Sequence, residues 1–221
     1  LFHDPEWWWA LGLWWGDGHI HRTQLAWSCA HSRPDIVARL QRLADKYGKA
    51  LTQVARPSQM RVCLWADAAI SRWLRGWYTP QGKCPPAWVE RLGPEYQRAL
   101  LRGYLDADGY VTPKAVRLTS IGLKGLLSAR RMLARQGIPA TIRAGLGPGQ
   151  DVIEGRVVNR RQKYDLRFDQ GREVLGYAKA PSRRSQRDFI EGGMLWSKVR
   201  SIEPAANRTF APIKTSTSTY I

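Results

Sequence analysis

The chain carries the same helix end twice. One copy reads Ala10-Leu11-Gly12-Leu13-Trp14-Trp15-Gly16-Asp17-Gly18. The other reads Leu101-Arg102-Gly103-Tyr104-Leu105-Asp106-Ala107-Asp108-Gly109. Both put a glycine at the third position and a small residue, Gly16 or Ala107, four places later. Small residues one turn apart leave a strip of bare backbone on one helix face, so two such helices can approach closely. Each strip leads to an aspartate, and the two aspartates, 17 and 108, stand 91 positions apart. One Gly-Asp-Gly is most simply a turn, because both residue types suit turn conformations. Two copies in matching contexts constrain far more. If the helices pack side by side, Asp17 and Asp108 meet at the end of a shared seam.

The elements around each copy repeat as well. In the first half, residues 6–15 form a helix with Pro5 suited to its first turn, and Gly16-Asp17-Gly18 is its stop. His19 to Cys29 reads as a hairpin with Ile20, Leu25 and Trp27 inward and His19, His21, Gln24 and Ser28 outward. His19-x-His21 has the form of a metal pair, but two outward histidines on a strand are the simpler reading. Pro34-Asp35 opens an amphipathic helix with Ile36, Val37, Leu40 and Leu43 on one stripe, ending near Gly48. A second hairpin, a helix from Ala68 to Trp77 started by Asp67, a Pro/Gly-rich link from Thr79 to Pro86 and a short helix follow.

The second half predicts the same order. A helix from Glu95 to Leu105 stops at Asp106-Ala107-Asp108-Gly109, and a hairpin runs from Tyr110 to Ser120. A helix from Gly122 to Gln136 precedes strands over 138–144 and 162–168. The segment between those strands, 145–161, is a loop or ribbon tip. Further helices are expected over 170–176 and 188–196. The expected fold is α+β: two pseudo-symmetric αββαββα repeats, residues 1–94 and 95–197, with antiparallel β-saddles around a two-helix interface. A tail covers 198–221.

Charge points to the partner. The chain has 35 Lys plus Arg against 18 Asp plus Glu, a net charge of +17 and a pI near 10.4. The surplus is 5 over residues 1–100 and 12 over residues 101–221, and arginine dominates the second part, 16 Arg to 6 Lys. Such an excess suits a polyanion, and the planar guanidinium suits phosphate and guanine edges. Hydrophobic residues make up 43%, which supports a core and excludes wholesale disorder. No apolar run reaches the roughly 18 residues of a spanning helix. Asp4 and Glu6 occupy the start, where a secretory leader is positive. Cys29, Cys63 and Cys84 show no CxxC spacing and read as reduced thiols. The expectation is an intracellular protein, of cytoplasm or nucleoid, with no membrane role.

The paired motif resembles that of the LAGLIDADG homing endonucleases in their single-chain, two-repeat form. The second copy matches the signature at Leu101, Gly103, Asp106, Ala107, Asp108 and Gly109, and the first matches more loosely, with Trp15 in place of the signature's first Asp. Gly82-Lys83-Cys84-Pro85-Pro86 resembles the Lys-x-x-Pro block of intein-borne members. Residues 198–221, with Val199 to Pro204 and Thr219-Tyr220-Ile221, resemble the last strands of an intein splicing domain. The chain shows neither that domain's N-terminal segment nor its His-Asn pair, so splicing is not expected.

The resemblance implies a monomeric, metal-dependent endonuclease cutting both strands of a long asymmetric DNA target of roughly two helical turns. Asp17 and Asp108 would hold divalent cations, with Gly16 and Ala107 completing the metal positions. Two or three Mg2+ ions are expected, and Mn2+ can substitute. Lys83 would polarise water or stabilise transition-state charge, with Lys179 or Arg183 as its counterpart in the corresponding second-half link. Strand alternation adds the DNA-facing set: His19, His21, Gln24, Ser28 and Arg61 in the first half, Arg117, Thr119, Thr141, Arg143, Lys163 and Arg167 in the second. Arg156, Arg160 and Arg161 belong to the loop 145–161. The alternative is a LAGLIDADG protein that binds DNA without cutting, or an RNA-binding intron maturase.

Overall fold

In a computed structural model of the chain, residues 1–56, 60–113, 115–153, 155–178, 188–191 and 194–197 are described. Asp4 opens helix α1 (Pro5–Asp17) by accepting the Glu6 N–H at 3.0 Å, and Pro5 fills a first-turn position that needs no N–H. α1 is apolar all round, as a fully enclosed helix must be. Trp7, Trp8, Trp9 and Trp14 are buried within it. Burying a large apolar side chain contributes roughly 1.5–3 kcal/mol, so this one helix anchors the core.

Strands β1 (Gly18–His21) and β2 (Gln24–Ala30) follow, then α2 (Pro34–Lys46), β3 (Leu51–Arg56), β4 (Met60–Ala66) and α3 (Ala68–Arg75). Asp67 caps α3 by accepting the Ile70 N–H at 3.0 Å. A short hairpin, β5 (Tyr78–Thr79) and β6 (Gly82–Lys83), and a 3₁₀ turn (Ala87–Arg91) lead to α4 (Pro94–Asp108). The second repeat continues with β7 (Gly109–Val111), β8 (Val116–Ser120), α5 (Leu123–Arg135) and β9 (Thr141–Ala144). A ribbon, β10 (Gly149–Ile153) and β11 (Arg156–Arg160), precedes β12 (Tyr164–Phe168), a 3₁₀ turn (Arg172–Leu175) and a hairpin, β13 (Asp188–Glu191) and β14 (Met194–Ser197).

Both repeats build a four-stranded antiparallel sheet with one topology. The orders are β1-β2-β4-β3 and β7-β8-β12-β9, so each runs first, second, fourth, third of its repeat. The inner faces carry Leu25, Trp27 and Trp65 in one sheet and Val116, Leu118, Leu166 and Phe168 in the other, all buried. Trp27 Nε1 donates to Ala10 O at 2.8 Å, which ties the first sheet to α1.

The two motif helices meet backbone to backbone. A Cβ added at Gly12 would lie 1.9 Å from Leu100 O, and one added at Gly103 would lie 1.9 Å from Trp9 O. The relation is reciprocal, as a pseudo-twofold seam requires. Trp15 stacks on Tyr104 across the seam, with centroids 4.2 Å apart, and Trp9 Nε1 donates to Asp106 Oδ2 at 2.9 Å.

Several expectations are corrected. The Asp106-Ala107-Asp108 stop is the last turn of α4 itself, and Gly16-Asp17 likewise ends α1 inside the helix. The expected helix over 170–176 is a single 3₁₀ turn between Gly171 and Gly176, both at positive φ. The expected helix over 188–196 is a β-hairpin. The segment 145–161 contains the β10–β11 ribbon. Arg61 was expected to face outward, yet it pairs with Cys29 and shares the face of Cys63 and Trp65. Burial of the large Trp65 ring sets that parity, and Arg56, opposite Met60, takes the open face instead. Among the described residues no helix is long and apolar enough to cross a membrane.

Gly12→Ala or Gly103→Ala must push two backbones apart, since the obstructing atom is a carbonyl oxygen and not a mobile side chain. The expected loss is about 3 kcal/mol or more of unfolding free energy by urea titration. A loss below about 0.5 kcal/mol would contradict the packing described.

Candidate active site at the helix seam

The seam delivers its two aspartates to one point. Asp17 ends α1, Asp108 ends α4, and the two carboxyl groups hydrogen-bond to each other. A Cβ added at Gly16 would lie 2.4 Å from Ala107 Cβ and 3.2 Å from Asp108 Oδ2. The small residues therefore let the carboxyls converge. Both side chains are open to solvent at the helix ends, while protein packs around their bases. That burial, and then the neighbouring Asp17 charge, push Asp108 up to about 7, and Lys83 acts in the opposite sense. Asp17 is also raised, by burial first. Like charges this close cannot both ionise freely, so the pair retains a proton.

Lys83 comes from β6 and lies against the end of α1. Its Nζ donates to Trp14 O at 2.7 Å, Gly16 O at 2.8 Å and Gly18 O at 2.6 Å. All three ammonium protons are thereby used, and the charge sits on the negative end of the helix dipole. Burial lowers its pKa to about 8, against the pull of Asp108 and Asp17. Lys83 O in turn accepts the Trp15 Nε1 proton at 3.2 Å. The sequence-based role for Lys83 was water polarisation or charge stabilisation in the reaction. The geometry makes it a clamp on the strand-to-helix junction that carries Asp17. Gly16, expected among the metal positions, has its carbonyl occupied by this clamp, while Ala107 lies across the seam from it.

Among the described residues no group of three or more His, Cys, Asp or Glu is arranged to hold a metal. The two carboxylates are the protein ligands on offer. Such a pair fits Mg2+, which keeps several waters and binds through one or two carboxylates plus substrate phosphate. A divalent cation would replace the shared proton.

The open sheet faces start at the acids, because β1 follows Asp17 and β7 follows Asp108 directly. In the first sheet His19, His21, Gln24 and Ser28 fall on the open-face parity, as expected. In the second, Tyr110, Arg117, Arg167 and Thr141 form one cross-strand row, and Thr119, Asp165 and Arg143 form the next. Lys163 is exposed at the start of β12. Tyr110, Asp165 and Arg56 are among the open-face residues that strand alternation missed. Knowing that Trp65 turns inward would have exposed Arg56. Arg160 is not free: it pairs with Asp151, and its Nε donates to Gly147 O at 2.8 Å. Arg161 Nη1 donates to Pro80 O at 3.2 Å, joining the second repeat to the link. Arg156 is exposed. Lys179 and Arg183 lie outside the described residues.

The sequence profile of the LAGLIDADG-like domain matches residues 95–169. The homing endonuclease I-DmoI superposes with a TM-score of 0.54 at 15% identity, covering 78% of this chain and 92% of its own. A structure of I-DmoI in complex with DNA and Mn gives the same TM-score over 77% of this chain. Full-length DUF199/WhiA from Thermatoga maritima gives 0.53 at 16% identity, over 80% of this chain and 58% of its own. A curated iron-sulfur cluster assembly SufBD family protein of Mycobacterium leprae (strain TN) is 29% identical over 157 residues. That match takes in 66% of this chain and 16% of the relative's length.

Raised carboxyl pKa values favour the native state below the pKa of the unfolded chain and lose that contribution as pH climbs through the native value. The metal-free protein should therefore lose melting temperature as pH rises from about 4, near the unfolded carboxyl value, through about 7, the raised Asp108 value, modestly because solvent reaches both groups. Lys83, held down to about 8, contributes the opposite slope only above that pH. Asp108→Asn should flatten the decline. A profile unchanged by that substitution would separate the two carboxyls.

Proposed function

We propose that this chain, which has the LAGLIDADG fold, is a site-specific DNA endonuclease that hydrolyses phosphodiesters with divalent metal. The observation that carries the reading is the convergence of Asp17 and Asp108 at the end of the helix seam, where a Cβ on Gly16 would lie 3.2 Å from Asp108 Oδ2, between the open faces of a basic second sheet and a mostly neutral polar first sheet. A structural role gives no reason to hold two carboxyls in mutual repulsion, whereas a cation site does. The I-DmoI structure with DNA and Mn supports a metal and a duplex as the partners.

Asp17 and Asp108, coming from opposite helices, would hold the cation. When bound, it neutralises phosphate charge and lowers the pKa of water. The remaining work falls to the chain. Lys83 keeps the last carbonyls of α1 in place, so Asp17 keeps its position when the shared proton leaves. Arg117, Arg143, Arg167 and Lys163 grip phosphate or base edges from the second sheet. His19, His21, Gln24 and Ser28 read bases from the first, with few charges among them. The halves differ, so the target is asymmetric, and one chain supplies both acids, so a monomer suffices. Magnesium is the expected ion. A nuclease carried within a host protein fits the match to 16% of a much longer mycobacterial relative.

The second reading is a DNA-binding protein without cleavage. DUF199/WhiA matches the fold as well as I-DmoI does, so the fold does not separate the two. The acid pair favours cutting. Selection from a random duplex library with Mg2+ should recover a cleaved long site. Asp17→Asn or Asp108→Asn should lower cutting at least 100-fold and leave binding largely intact. Cutting that survives both changes would remove the assignment, and selective binding without any cutting would favour the second reading. Sedimentation should give a monomer.

A further inference from the structure

The ribbon β10–β11 projects from the second sheet between β9 and β12. Its register separates two unlike faces. One carries Asp151, Val158 and Arg160, tied together by the Asp151–Arg160 pair and by Arg160 Nε on Gly147 O. The other presents Gln150 opposite Asn159 and Val152 opposite Val157, all four exposed. Val152 is 70% exposed and Val157 66%, which makes them among the most exposed large apolar side chains described. Strand propensity accounts for valine in a ribbon. It does not account for two isopropyl groups in register with two carboxamides and no charge between them.

We propose that this face reads A·T base pairs at one end of the DNA target, an inference that rests on the DNA-binding reading above. A two-stranded ribbon fits the major groove. There a carboxamide pairs bidentately with adenine N7 and N6, and an apolar group contacts the thymine methyl. Gln150 and Asn159 supply the first contact, and Val152 and Val157 the second. Lys163 and Arg143, exposed at the ribbon's base, supply cations for the phosphates beside that face, while Arg156, opposite Ile153, belongs to the other face with Asp151 and Val158. Two valines and two amides are far short of the roughly 800 Å² per partner that a stable protein interface needs, so a second protein is the poorer occupant. The ribbon arginines named from sequence hold its inner face or its ends, and the side chains that discriminate bases are the uncharged ones.

The test uses the full chain and DNA selected by it from a random library. The wild-type site should contain a short run of A·T pairs. Val152→Ala/Val157→Ala should weaken that preference, since Gln150 and Asn159 keep their adenine contacts, and keep the rest of the site. Replacing thymine by deoxyuracil within the run removes only the methyl group. It should weaken wild-type binding about fourfold per methyl and leave the double variant unaffected. Equal losses in both proteins, or a variant with unchanged preferences, would overturn the proposal while leaving the endonuclease reading in place. If the variant does not fold, wild-type indifference to deoxyuracil at every thymine of the site overturns it equally. Recovery of no selected sequence by the wild type would sink the DNA-binding reading, and this inference with it.

Discussion

Everything in this molecule hangs on two helices touching without side chains between them. Gly12 faces the Leu100 carbonyl and Gly103 faces the Trp9 carbonyl, each at a distance that no Cβ tolerates. Around that bare contact the chain adds its heaviest packing: five tryptophans on α1, the Trp15–Tyr104 stack and the Trp9–Asp106 hydrogen bond. Glycine costs roughly 1 kcal/mol in a helix relative to alanine. Burial of the indoles offsets that cost many times over. Close approach is then what brings two carboxyls together at the far end.

The acid pair is a point of stored repulsion, and the fold counters it with one cation. Lys83 is spent on α1 carbonyls, not on the carboxylates, so it steadies the backbone and contributes field without neutralising either acid. The pair is left incomplete as a set of ligands. Under the proposed function, a cation and a phosphate would supply what the protein withholds. The division of labour between sheets follows the charge: the second presents Arg117, Arg143 and Arg167, the first mostly neutral polar groups.

Most of this was legible because it depends on local chemistry. The Asp67 cap, the Pro34 helix start and the paired Gly-x-x-x-small strips announce themselves within a few residues. The errors came where tertiary context decides. Residues 188–191 and 194–197 pair as antiparallel strands where the local sequence predicts a helix. Strand alternation alone puts Arg61 outward, whereas burial of Trp65 sets the parity of that strand. The engagement of Lys83 with three carbonyls was invisible, because its partners lie at least 65 positions away. Arg160 was credited with a contact that Asp151 already holds.

The reciprocal glycine contact has a consequence for how such a chain diversifies. At positions 12 and 103 every replacement collides with the other half's main chain, so these sites are closed to change whatever the target. The open sheet faces and the ribbon carry no such reciprocal lock. Either sheet can therefore take new surface side chains, while the seam admits none at its two reciprocal positions.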